Sequence, residues 1–295
     1  VIPQGVAYAA LAGMPLITGI YASMLPALIA VLFSGSMRLS VGPTALTCLL
    51  VSASLTGMAA PGSAQWIELA VWLALLSGLV QVVLGFVRFG WLLNLVNAPV
   101  LMAFTQGAAV LIIASQLPAL LGLNGGWAAL AQPQQMHLPA IAFGLGSVAF
   151  LLMARRWRAT FPSVLLLVVV SAGVSAWVGF EAHGGAVIGQ LPQGLPTFYT
   201  PAWPGWTTLG QLLLPTLVIS LVSFLETASS AKVDSSRRGQ RWDQDQDLIG
   251  QGLAKLASGL SGAFPTSSAF SRSALNLFAG ARTGRATVFS VVVVL

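Results

Sequence analysis

From Phe161 to Phe180 the chain runs the length of a membrane crossing without one charged side chain. Most of the sequence repeats that pattern, with apolar stretches of about 20 residues separated by short polar links. In lipid a segment of this kind satisfies its backbone as a helix. Composition agrees: charged residues make up 7% of the chain and hydrophobic ones 56%, where a soluble domain carries roughly 25% charged residues. The expected fold class is an all-α polytopic membrane protein of about eleven spans.

The spans are expected at about Val1 to Gly13, Ile20 to Phe33, Pro43 to Gly57, Trp66 to Val87, Asn97 to Leu121, Leu138 to Ala154, Phe161 to Phe180, Leu209 to Ala231 and Leu248 to Gly262, with a tenth inside Ala263 to Asn276 and an eleventh opening at Val288. Pro43 is expected at the first helical position of the third span, where its missing N–H costs nothing. That span is too short for a full crossing. Glu181 to Trp206 reads as an external loop rich in Gly and Pro. Residues 1–295 are expected to form a transmembrane transport domain incomplete at both ends, since Val1 is no start methionine and the chain stops inside an apolar run.

The formal net charge is +6, a value that would also suit a nucleic-acid binder. Alternating the sides of the spans places Arg38, Arg88, Arg155, Arg156, Arg158, Lys232, Arg237, Arg238, Arg241, Arg282 and Arg285 on one side and no Lys or Arg on the other. The positive-inside rule makes the first side cytoplasmic. Nucleic acid is not needed to explain the charge; the lipid bilayer is the partner. The lone cysteine, Cys48, excludes an internal disulfide. There is no HExxH motif, no Cys/His cluster and no pair of intramembrane carboxylates, and His137 and His183 fall in expected external loops. No enzyme, catalytic residue, cofactor or metal site is expected.

Only Lys255 and Arg272 among the basic residues lie inside spans. Arg272 belongs to Ala263 to Asn276 (AFPTSSAFSRSALN), which carries a proline and five hydroxyl side chains and is too polar to face lipid. The segment reads as an extended entry to a helix starting near Ser268 to Ser271. A helix start presents N–H groups without intrahelical partners and about half a positive charge, so it attracts anions. Arg272 adds a full charge. Two roles are open to it: facing a bound anion, or neutralising Glu226. Glu226 is the only acidic residue well inside a span, and Ser223 and Ser230 share its face at helical spacing. It suits either an interhelical hydrogen bond or ion coupling. Gln4 and Tyr8, at i,i+4 spacing, could line the same cavity or act as packing contacts.

Gln4 stands as far before Pro43 as Glu226 stands before Pro265. In both places a polar residue on a long span is followed by a proline at a short helix, and the two short helices enter from opposite sides. This is the pattern of an inverted repeat with discontinuous helices meeting at the midplane, a transporter signature.

IPQGVAYAALAGMPLITGIYASMLPALI with GSMRLSVGPTALT, and later GAFPTSSAFSRSALNLFAGARTG, resemble the two signatures of the SulP family of anion permeases, whose animal relatives include pendrin and prestin. The resemblance covers nearly the whole chain. It implies an inverted-repeat (7+7) SulP/UraA-like transporter fold, split into core and gate, here truncated to about eleven spans with half-helices at spans 3 and 10. It places Gln4, Tyr8, Pro43, Thr44, Ala45, Ala269, Phe270, Ser271 and Arg272 around the bound anion, and Glu226 with Ser230 at the ion-coupling position. It implies secondary active transport of a small inorganic anion, sulfate first, with a proton or sodium as coupling ion. Bicarbonate or dicarboxylate transport and a passive anion channel are the alternatives. It also implies a bacterial inner (plasma) membrane location, a homodimer in the full-length form, and a C-terminal STAS domain that is absent here with the last spans. The chain departs from the family's usual pattern at Asp245, Gln246 and Asp247, at Lys255 and at Ala269.

Overall fold

The computed structural model describes residues 2–95, 98–123, 137–157, 163–182, 185, 195–239, 241–278, 281 and 283–294. Its helices follow the apolar stretches: α1 (Ile2–Leu11), α2 (Leu16–Phe33), α3 (Ala45–Leu55), α4 (Ala64–Phe86), α5 (Ala98–Leu120), α6 (Leu138–Trp157), α7 (Ser163–Val178), α8 (Trp206–Arg238), α9 (Gln244–Leu260), α10 (Phe270–Phe278) and α11 (Arg285–Val294). A 3-10 segment, Phe89–Leu95, follows α4. Two short strands, β1 (Val41–Gly42) and β2 (Ser267–Ser268), precede α3 and α10.

Several boundaries differ from those the hydropathy suggests. Pro43 is not the first helical residue. Thr44 is extended and caps α3, its hydroxyl accepting from the Thr47 N–H, so the proline stands one residue outside the cap. α8 does not stop at Ala231 but continues to Arg238 and closes on Gly239, in the left-handed region at φ 61°. Lys, Ser and Arg are acceptable helix residues, so apolarity marks the edge of the lipid rather than the end of the helix. α9 begins at Gln244, four residues before the apolar run, because Asp243 caps it by accepting from Gln246 N–H at 3.0 Å.

The chain forms two compact units, residues 1–106 with 191–295, and Gly107–Gln190. In the smaller unit α6 and α7 pack together, and the Phe180 ring meets His137 and Phe143 edge-on at 5.6 and 5.0 Å. His137 also caps α6, its Nδ1 accepting from Ala140 N–H at 3.3 Å, which makes it a structural residue. His183 lies outside the described residues.

The larger unit is built around α9, which lies against α2 and α4. A Cβ placed on Gly252 would sit 2.6 Å from the Gly78 carbonyl oxygen, and one on Gly78 would sit 2.8 Å from that of Gly252. The two backbones therefore touch, which is how membrane helices gain contact area without a hydrophobic drive between them. Trp66, Leu55, Leu73, Phe264 and Ile219 fill the principal apolar cluster.

The start of α9 is pinned by the three residues that depart from the family's pattern. Asp245 accepts from Gly90 N–H at 2.8 Å, and Gln246 donates to the Phe33 carbonyl. Asp247 is fully buried and accepts from the Ser34 hydroxyl, the Ser36 N–H at 2.9 Å, the Ser36 hydroxyl at 2.6 Å and the Trp242 indole at 2.5 Å. Arg38, just beyond, pairs with Asp234 near the end of α8. Together these contacts fix the turn that feeds β1.

Candidate functional site

β1 and β2 pair antiparallel, Val41 with Ser268 and Gly42 with Ser267. All four residues are buried. Two-residue strands of this composition have no apolar face to drive them together. They pair because extended backbone inside a membrane protein must find hydrogen-bond partners. Ala269 N–H to Ser40 O (2.9 Å) and Ser40 N–H to Ser273 Oγ (3.0 Å) extend the link. The antiparallel sense is what two inverted units require. It sets the starts of α3 and α10 side by side.

Arg272, in the first turn of α10, is 6% exposed. Its Nη2 donates to the Pro43 carbonyl at 2.8 Å, tying α10 to the entry of α3, while its Nε is buried with no hydrogen-bond partner. Gly42 makes room for it, since a Cβ there would lie 2.9 Å from Nη2. Among the described residues the single ion pair within 4.0 Å is Arg38–Asp234, so Arg272 and Glu226 do not form a direct pair. A buried guanidinium nitrogen without a partner is costly unless something else accepts from it.

Glu226 reaches the same place from α8, its Oε2 accepting from the Thr44 hydroxyl at 3.0 Å. Thr44 also contacts the Thr47 hydroxyl, so one cap residue connects the carboxyl to the start of α3. On α1, Gln4 Nε2 donates to the Tyr8 hydroxyl at 3.1 Å, as the i,i+4 spacing suggests, and Tyr8 lies within electrostatic range of both Arg272 and Glu226. Ala45 is buried at the start of α3, whereas Phe270 is 49% exposed at the start of α10. Ser230, one turn beyond Glu226, is buried with its Oγ unpartnered. Ala269 is also buried, but its N–H is bonded to Ser40 and is not a free donor. The Ser271 side chain lies outside the described residues.

Sequence reasoning gave Lys255 no partners and overlooked Gln81. Lys255 is fully buried on α9, and its Nζ donates to Gln81 Oε1 at 2.6 Å and Ser223 Oγ at 2.5 Å. Gln81 in turn donates to Ser220 O at 2.8 Å and Ser223 Oγ at 2.9 Å. Ser267 Oγ donates to Ser223 O at 3.1 Å, so the network ends on β2. The available signal was a polar stripe at i, i+4 and i+7 on α9, formed by Gln251, Lys255 and Ser258.

A profile of the Sulfate permease family matches residues 1–295. The chain belongs to that family. A "Probable sulfate transporter" of Mycobacterium tuberculosis (strain CDC 1551 / Oshkosh) is 34% identical over 292 residues, covering 96% of this chain and 52% of the relative. Prestin of Danio rerio is 29% identical over 333 residues, covering 100% and 45%. The chain thus spans about half the length of these relatives. Among solved structures, murine Solute Carrier 26 family member A9, an anion transporter in the inward-facing state, superimposes with a TM-score of 0.86 at 21% identity, covering 99% of this chain and 53% of that one. The transmembrane domain of the cyanobacterial bicarbonate transporter BicA gives 0.84 at 21%, covering 99% and 77%. These two likenesses establish the SulP/UraA-like fold and, with the family match, a multi-pass membrane protein.

Proposed function

We propose that this chain carries the anion site of a secondary active transporter in a bacterial inner membrane. It moves a small inorganic anion, sulfate first, by alternating access. The observation that carries the reading is the buried Arg272 Nε without a partner, placed at the start of α10 beside the capped start of α3. Two helix starts and a guanidinium converging on one spot offer an oxyanion several donors at once. The name of the mycobacterial relative supports sulfate as the first anion to test. Pro43, Thr44, Ala45, Phe270, Ser271 and Arg272 surround the anion in this reading, with Ala269 holding the backbone, and Gln4 and Tyr8 complete the wall from α1.

Glu226 is the coupling group. Its hydrogen bond to Thr44 joins it to the anion-binding helix start, so a proton gained or lost at the carboxyl alters the charge the anion meets. Ser230 supplies a free hydroxyl one turn away. Proteoliposomes containing the full-length protein should accumulate labelled sulfate, and an inward proton gradient should stimulate uptake. Glu226→Gln should still exchange sulfate but lose that stimulation. Gradient-stimulated uptake undiminished in the variant would remove Glu226 from coupling, and conductance without uphill accumulation would replace the transporter reading with a channel.

A further inference from the structure

Three ionisable side chains, Glu226, Arg272 and Lys255, are linked electrostatically through Glu226, and the anion reading uses two of them. The third is Lys255. Its ammonium has no carboxylate within 4.0 Å among the described residues and is held by the neutral oxygens of Gln81 and Ser223. A full charge with no route to solvent is expensive to keep. Packing does not explain it, since Leu or Met would fill a comparable volume.

Its position suggests another purpose. Ser223, which accepts from Nζ, stands one turn before Glu226 on α8, and its carbonyl accepts from Ser267 in β2. One turn before Lys255, Gln251 donates to Ser268 Oγ at 2.9 Å. The ammonium therefore lies directly behind the strand that leads into α10, within electrostatic range of Glu226.

We propose that Lys255 sets the charge class of the transported anion. Its ammonium is the second buried cation beside Arg272 and makes the site complementary to a dianion rather than a monoanion. This rests on the transport reading above. With Glu226 protonated, a doubly charged anion supplies counter-charge for both Lys255 and Arg272 and holds both in their charged forms, which a singly charged one does not. The cost of desolvating an ion rises with the square of its charge, so a dianion needs both cations far more than a monoanion does. Lys255 acts through its field and touches no substrate atom; it is a specificity residue.

The test compares sulfate and thiosulfate with nitrate and formate on the purified full-length protein. Two readouts are taken: competition for labelled uptake, and the anion-induced rise in melting temperature. Wild type should favour the dianions. Lys255→Met should weaken sulfate binding by about 10- to 100-fold while changing nitrate by less than about threefold. Lys255→Arg should keep the wild-type ratio. Lys255→Gln, which retains a donor for Gln81 and Ser223, should behave as Lys255→Met, and serves if the methionine variant does not fold. A dianion-to-monoanion ratio unchanged in the neutral variants overturns the proposal, even if both anions bind more weakly. So does a wild type that prefers monoanions, or one stabilised by neither class. A wild type stabilised by sulfate in a Lys255-dependent way, yet accumulating nothing, would sink the transport reading while leaving the assignment of Lys255 intact.

Discussion

Arg272 joins the two halves of the site with one hydrogen bond, to Pro43 O, and leaves its Nε without a protein partner. On the proposed reading, replacing it removes a donor to the anion and a charge from a buried place. Arg272→Leu should weaken sulfate binding by at least roughly 30-fold, the scale for truncating one member of a buried charge contact. Arg272→Lys should fall between, because it keeps the charge but loses the planar fork. Isothermal titration or scintillation-proximity binding would resolve the order, and equal losses in the two variants would make charge irrelevant. At this scale the sequence was partly legible. The i,i+4 spacing of Gln4 and Tyr8 matches the hydrogen bond between them, whereas the Glu226 bond to Thr44 links residues too far apart in the chain for spacing to reveal. Whether Arg272 pairs directly with Glu226 could not be read from the chain, because it turns on where a long side chain bends, and Gly42 and Pro43 determine that from more than two hundred residues away.

The helices divide by how they make contact. α9 meets α4 backbone to backbone through Gly252 and Gly78, whereas α8 leaves Leu213, Leu214 and Leu217 exposed on the face that suits lipid. Gly252→Leu should therefore destabilise the protein by more than the roughly 1–3 kcal/mol of ordinary overpacking, because the group it strikes is a carbonyl that cannot swing aside. Gly210→Leu on α8 meets nothing within 4 Å of its Cβ and should leave the melting temperature within a degree or two. Thermal unfolding of both variants in detergent checks the contrast, and equal shifts would mean that α4 and α9 can part without cost. Most element positions were legible from apolar length, while α10 was located by the polar segment that enters it. Ends were less so wherever polar residues continue a helix, as in the last turns of α8, or start one, as Asp243 does for α9. The extended entry to α10 was legible, but its pairing with β1 was not, since Val41, Gly42, Ser267 and Ser268 pair only because the surroundings bury their backbones.

For the whole molecule, the distribution of Lys and Arg specifies an orientation that labelling can read. Cys48 is fully buried, so a Cys48→Ser background removes a native thiol that sits in the core. In that background Ser236→Cys should react with an impermeant maleimide only from the cytoplasmic side, and Ala202→Cys only from the outside. Both positions are exposed, and they lie on opposite sides in the alternation of spans. Reaction of both from one side would reverse or break the assigned topology. A timing constraint also follows from the Arg272–Pro43 hydrogen bond, whose partners are 229 residues apart in the chain. At a synthesis rate of about 5–20 residues per second, the first helix start would wait roughly 10 to 45 s for its guanidinium to emerge. During that interval Thr44 caps α3 without Glu226, and β1 has no strand to pair with. The first half of the molecule must therefore survive in the bilayer with its most polar stretch unfinished, which makes the nascent chain at that stage a natural client for insertion chaperones and quality-control proteases.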